Sequence, residues 1–301
     1  MTDPPGVVIR EVALRDGLQS ETGFVSTEDK LAIINALAWA GVTYLETTAF
    51  VSARAVPQLR DAADVMARAD RGGLRHEVMV PNLKGARAAM DAGADRIIVF
   101  MSASEAHNRE NVGSSISESL ADLDAIFSAA VERSIPVAAA IATSFGCPYQ
   151  GRVPVSDVLA IAREFVRRGA DRITLADTTG MANPKQITET IAFFRQHLPE
   201  TILCLHLHNN RGIAMANLYA GYLAGITMFD TSLGGIGGCP NVPQAAGNLA
   251  TEDVVFMFES MGVDTGIRLP ALIQAAGLLE KILAHPLPGQ VMKSGPVDLE
   301  G

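Results

Sequence analysis

Apolar runs of strand length recur along the chain at positions 7–13, 43–48, 75–80, 96–101, 136–142, 172–176, 202–208 and 227–233. Between them, segments such as 27–40, 116–133, 155–168 and 184–198 carry apolar residues at helical spacing, with Ser, Thr, Asp or Pro near their starts. Strand and helix therefore alternate. A weak internal repeat supports the count. A small residue or Arg, then Gly, then a small apolar residue closes a helical segment at Ala40-Gly41-Val42, Ala92-Gly93-Ala94, Arg168-Gly169-Ala170 and Ala224-Gly225-Ile226, each before an even-numbered strand.

Eight βα units of this regularity predict an α/β fold closed into a (β/α)8 TIM barrel, rather than a doubly wound sheet. The barrel is expected over about 7–264. An additional apolar C-terminal helix and a Pro/Gly-containing tail follow over about 265–301, packed outside it. Nothing resembles an interdomain linker, so 1–301 is read as one domain. Composition agrees: 48% of residues are hydrophobic but only 5% aromatic, a mix that suits short buried strands between helices.

Charge and cysteine usage narrow the class. A formal net charge of −9, with no basic run, argues against a nucleic-acid partner, because phosphate contacts need clustered Lys and Arg. Cys147, Cys204 and Cys239 are odd in number and form no CxxC pair, which disfavours a disulfide scaffold or a structural zinc site. Neither a leader peptide nor an apolar stretch of about 18 residues is recognisable. The expectation is a cytoplasmic protein without a membrane partner.

A (β/α)8 barrel builds its active site at the C-terminal ends of its strands. Strand one leads into Arg15-Asp16-Gly17, strand two contains Glu46, strand six ends in Asp177-Thr178-Thr179-Gly180, and strand seven ends in His206-Leu207-His208. Strand eight runs into Gly234-Gly235-Ile236-Gly237-Gly238-Cys239-Pro240, with Asn248 shortly beyond.

His206 and His208 stand two apart on a strand, so their side chains share a face and can share one ion. Asp16 and Asn248 would add oxygen ligands from neighbouring loops. Two imidazoles, a carboxylate and an amide oxygen, with room for water and substrate, suit octahedral Mg2+ or Mn2+ better than a closed tetrahedral site; zinc and cobalt remain open. Arg15, held rigid by Glu46, could stabilise a developing enolate oxygen. Cys239 follows a glycine run whose flexibility suggests a closing loop, and a thiol carried there could act as acid or base. The run lacks the Lys-Ser/Thr ending of a nucleotide-phosphate loop.

These residues resemble a known family, the 3-hydroxy-3-methylglutaryl-CoA lyases, within the metal-dependent barrel lyases and Claisen-type synthases. The likeness runs from position 8 to about 291. It is visible in Glu11-Val12-Ala13-Leu14-Arg15-Asp16-Gly17-Leu18-Gln19, in Leu45-Glu46-Thr47-Thr48-Ala49-Phe50-Val51-Ser52, in Ser102-Ala103-Ser104-Glu105, in Asp177-Thr178-Thr179-Gly180 and in His206-Leu207-His208, and it is densest over 234–253. The resemblance implies that Asp16, His206, His208 and Asn248 bind the cation, that Arg15 stabilises the enolate with Glu46 orienting it, and that His206 and Cys239 take part in catalysis, Cys239 in proton transfer. It also implies that Asp177 lines the substrate pocket, that the substrate is an acyl-CoA, and that the protein is a homo-oligomer, a dimer.

Two departures bear on specificity. Ala49 stands where the family usually has Ser, and Asn209-Asn210 where it usually has Asp-Thr. A citramalyl-CoA or other branched 3-hydroxyacyl-CoA lyase therefore stays open on the same chemistry. A Claisen synthase shares the metal site, but the Gly-Gly-Cys segment favours the lyase, and the intact set of polar residues speaks against an inactive barrel used as a scaffold.

Overall fold

The structure, a computed structural model, describes residues 6–238 and 246–296. The eight apolar runs are the eight strands: β1 Val8–Glu11, β2 Tyr44–Ala49, β3 Arg75–Met79, β4 Arg96–Ser102, β5 Val137–Ala142, β6 Arg172–Asp177, β7 Ile202–Leu207 and β8 Met228–Thr231. They pair in parallel in sequence order, and β1 closes on β8 with Val8 opposite Met228 and Glu11 opposite Thr231. The barrel is a (β/α)8 barrel. Helices Thr27–Ala40 and Val155–Arg168 occupy the expected segments, and Ile116–Glu132 and Pro184–His197 each end one residue early.

Local chemistry sets these boundaries. The Ser26 hydroxyl accepts the Asp29 amide, and Ser115 with Glu118 forms a reciprocal capping box at the start of Ile116–Glu132. At the other ends Gly41, Gly93, Gly169 and Gly225 all have positive φ, a conformation that needs no Cβ and turns the chain back toward the next strand. The helix Leu269–Leu283 packs against Thr27–Ala40 on the outside of the barrel, where the Arg268 amide donates to the Ala40 carbonyl at 2.7 Å.

Alternation along each strand divides the apolar core from the barrel interior. Ile97, Val99 and Met101 on β4, with Ile173 and Leu175 on β6, point outward into the large core beneath the helices. The interior positions are unlike the Val and Ile layers usual for this fold. Arg10, Arg96 and Arg172 interleave there with Glu46, Glu77 and Asp230. Arg10 donates through Nε and Nη2 to both Asp230 oxygens at 2.8 and 2.5 Å, and through Nη1 to Glu46 Oε2 at 2.7 Å. Arg172 grips Glu77 through two bonds of 2.9 and 2.5 Å. Removing one member of such a buried set leaves an uncompensated charge, which typically costs about 3–5 kcal/mol.

Two local irregularities aim residues at the mouth. A register shift in β2 between Glu46 and Thr48 lets both Glu46 and Ala49 face the interior, although they stand an odd number of positions apart. Beyond β1 the chain enters a single π turn, Ala13–Gly17, instead of continuing the strand to position 13. Such turns recur at functional sites, and this one carries Arg15 and Asp16.

Candidate metal and active site

A cavity of about 510 Å3 opens at the C-terminal end of the strands. Arg15, Asp16, Glu46, His206 and His208 line it together with Arg10 and Asp230 from below. Asp16, His206 and His208 each offer one atom to a common point, all within 4.8 Å of one another. His206 Nε2 and His208 Nε2 face each other at 2.9 Å, and Asp16 Oδ2 lies 3.8 and 3.7 Å from them. Asn248 reaches the same point, since a short antiparallel bridge pairs it with His208 and its Nδ2 donates to Asp16 Oδ2 at 2.8 Å.

This donor set fits a divalent cation. Buried and lacking a partner among the described residues, Asn248 Oδ1 is an acceptor available to a positive charge. Two imidazole nitrogens aimed at each other beside a carboxylate are likewise best satisfied by a shared cation. A mixed nitrogen and oxygen set with open positions suits an ion such as Mg2+ or Mn2+.

Electrostatics keep Asp16 in its binding form as a carboxylate. Burial alone would raise Asp16, but the neighbouring His208 ring and the charges of Arg15 and His206 hold it far below the usual carboxylate range. Asp230 is also depressed: burial opposes this, and Arg10 and His206 outweigh it. Asp230 therefore accepts a hydrogen bond from His206 Nδ1 at 3.2 Å, which turns the lone pair of Nε2 toward the cation point.

Arg15 is fixed from several sides. Its Nη1 donates to Asp16 Oδ1 at 2.6 Å, its Nε pairs with Glu46 Oε1 at 3.2 Å, and Nη2 lies against Met79 Sδ. Glu46 thus bridges Arg15 at the mouth and Arg10 below. Asp177 sits differently. Alternation on β6 turns it away from the cavity, and its oxygens accept the amides of Met181 and Ala182 at 2.8 and 3.0 Å, closing the turn after the strand. It lies outside the residues lining the cavity. Cys239 lies outside the described residues.

The glycine run has a packing role in its described part. A Cβ on Gly234 would run into Leu287, and one on Gly237 would sit 2.5 Å from Asn248 Nδ2, so these residues allow close approach around the ligand. Below them Glu252 Oε2 accepts the Gly234 amide at 3.0 Å, and Glu11 accepts the Leu233 amide at 2.9 Å and the Thr251 hydroxyl at 2.6 Å. Burial pushes Glu252 up to about 8 and Glu11 up to about 7.

Sequence reasoning missed Arg10, Glu77, Arg172 and Asp230. A signal was present, since each is a charged residue within a short strand that the alternation of strand and helix buries on both faces.

Fold and cavity together define a barrel enzyme with a candidate metal site at the strand ends. The HMGL-like family model matches residues 6–279. Hydroxymethylglutaryl-CoA lyase YngG of Bacillus subtilis (strain 168) is 41% identical over 298 residues, spanning 98% of this chain and 100% of that protein. The mitochondrial hydroxymethylglutaryl-CoA lyase of Homo sapiens is 37% identical over 294 residues, 97% of this chain and 90% of its own. An HMG-CoA lyase from Acinetobacter baumannii, solved with coenzyme A and 3-methylmalate, superposes with a TM-score of 0.93 at 38% identity, covering 98% of this chain and 96% of that one. The chain belongs to the HMGL-like family, and it is a carbon–carbon lyase. No helix among the described residues is long and apolar enough to cross a membrane.

Proposed function

We propose that this lyase cleaves 3-hydroxy-3-methylglutaryl-CoA, or a related 3-hydroxyacyl thioester, into acetyl-CoA and a 3-oxo acid, which is acetoacetate for the family substrate. The observation that carries the reading is the convergence of Asp16, His206 and His208 beside a fixed Arg15 in one cavity of an HMGL-like barrel. Asp16, His206, His208 and Asn248 would hold Mg2+ or Mn2+. When bound, a divalent ion supplies Lewis acidity that makes a hydroxyl easier to deprotonate.

In the reaction the C3 hydroxyl loses its proton, the C2–C3 bond breaks, C3 becomes a ketone carbon, and the electron pair passes into a thioester enolate that is then protonated. Arg15 supplies a preorganised cation for the enolate oxygen, and Glu46 and Asp16 hold it in place. Asp230 orients His206. Cys239 is assigned the proton transfer to the enolate on the family resemblance. Asp177 acts by shaping the turn after β6, at the rim of the cavity. The protein acts as a dimer in this reading.

The test is acetyl-CoA release from a panel of 3-hydroxyacyl-CoA thioesters, with and without Mg2+ or Mn2+. Metal-dependent release supports the assignment. Condensation of acetyl-CoA with a 2-oxo acid, without cleavage, would replace it with a synthase.

A further inference from the structure

The cavity has two unlike halves. Toward β1, β7 and β8 it is lined by the charged and imidazole side chains described above. Across from them, on β2 and β4 to β6, the wall is mostly Ala49, Ile98, Phe100, Ala140, Ala142 and Ala176, with Thr174 and Thr178 on its β6 side. It is continuous with a small separate apolar cluster that includes Met79 and Ala138. On β5 every inward position from 138 to 142 is an alanine, so the strand offers three methyl groups and no larger side chain to the interior.

Resting on the lyase reading above, we propose that the acyl group turned over best carries at C3 an aliphatic chain longer than methyl, seated on this alanine wall. C3 of the substrate bears four groups. The hydroxyl and the terminal carboxylate need polar or cationic partners, which lie on the opposite side. The thioester arm bears amides, and those need hydrogen-bond partners once removed from water. On β4 and β5 the wall has only carbon side chains to offer, and its backbone groups there are engaged in the β4–β5 and β5–β6 ladders. Only the fourth substituent matches it.

Size points the same way. A cavity of about 510 Å3 lies in the range of roughly 300–1,000 Å3 that holds drug-sized ligands. A methyl at C3 would leave much of the wall facing water, whereas a longer chain displaces that water from apolar surface. Ala49 belongs to this wall, so the departure noted in the sequence removes a hydroxyl where an alkyl chain would lie. Cleavage stays balanced and redox-neutral. The C2–C3 bond breaks, the hydroxyl proton leaves, and acetyl-CoA departs from a 3-oxo acid that keeps the alkyl chain.

The experiment measures acetyl-CoA release by the full chain in Mg2+, and separately in Mn2+, from 3-hydroxy-3-alkylglutaryl-CoA thioesters with alkyl groups from methyl to hexyl. The expected result is a kcat/KM that rises about fourfold for each of the first few methylenes. Narrowing the wall by Ala140→Phe lowers the hexyl-to-methyl ratio of kcat/KM by about tenfold or more. Ala176→Val, a smaller change, gives the same direction if Ala140→Phe fails to fold, and circular dichroism reports which has happened. A methyl substrate cleaved best, with rates falling as the chain grows, overturns the proposal and leaves the lyase reading standing. Release of acetyl-CoA from none of the thioesters overturns both.

Discussion

His206 Nδ1 lies 3.2 Å from Asp230 Oδ2 while its Nε2 faces His208 at 2.9 Å, so one ring joins the buried charge network of the barrel to the cation site. The network below is therefore part of the ligand geometry. Asp230 also holds Arg10 by two hydrogen bonds and accepts from Cys204 Sγ at 3.1 Å, which leaves the carboxylate little freedom to rotate. The orientation of His206 Nε2 is thus set by contacts deep inside the β-barrel.

Asp230→Asn is expected to weaken divalent-metal affinity by about 10–100-fold, the usual effect of losing a carboxylate behind a ligating histidine. It also breaks the pairing of buried Arg10, so stability falls by about 3–5 kcal/mol. Titration against a fluorescent chelator reads the first effect and urea unfolding the second. Unchanged metal affinity alongside the stability loss would confine Asp230 to a structural role.

Arg15→Met is expected to fold and to keep metal affinity within a few-fold, because Arg15 contacts the ligand Asp16 without being a ligand itself. Turnover falls by about 10²–10³-fold, the loss seen when one preorganised stabiliser of a developing oxyanion is removed. Steady-state kinetics beside metal titration separate the two. A variant with near wild-type kcat would remove Arg15 from the chemistry.

The strands and most helix boundaries could be read directly from the chain for a physical reason. A parallel strand buried on both faces reads as an apolar run, and several helices turn back to the next strand through a positive-φ glycine, as at Gly41 and Gly169. The HxH pair on β7 was legible because period-two alternation places both rings on one face. What could not be read was pairing. Arg10 on β1 stands directly opposite Asp230 on β8 only because the barrel closes, and no local pattern carries that long-range register. The π turn at Ala13–Gly17 and the β2 register shift were hidden for the same reason, since both answer to neighbours distant in sequence. Asp177 shows the converse: proximity to a strand's C-terminal end suggested the pocket, but alternation turns it toward backbone amides instead.

Metal removal has a predictable stability signature. An ion that binds only the folded protein stabilises it by about 2.7 kcal/mol at a hundredfold excess over Kd, so chelation with EDTA lowers Tm by several degrees and Mn2+ or Mg2+ restores it. His206→Ala removes that metal-dependent shift. Differential scanning fluorimetry with and without chelator checks both. A His206→Ala protein that keeps the full shift would move the cation away from this site.

The last prediction concerns pH and rests on Glu252, which is buried, accepts the Gly234 amide, and has an Oε1 without a hydrogen-bond partner among the described residues. Burial is the largest influence on it, with the charges of Asp253 and Glu11 adding to the rise and its backbone hydrogen bonds opposing it, and the result is a value of about 8 against an ordinary 4.5. The folded state therefore binds more protons than the unfolded state between these values, and stability must fall as pH rises through that window. The contribution is fully present below about 4.5 and gone above about 8, at about 1.4 kcal/mol for each unit of difference. Glu11, raised to about 7, acts in the same direction over the lower part of the range. Glu252→Gln keeps an acceptor for the Gly234 amide but cannot ionise. Its stability is expected to match the parent protein near pH 5, exceed it by a few kcal/mol at pH 9, and decline less in between. Urea unfolding of both proteins across pH 5–9 reads the difference, which isolates Glu252 from every other titrating group the two share. Parallel stability curves would mean that Glu252 is already ionised at neutral pH and that its carboxylate is compensated in the loop segment at Gly234.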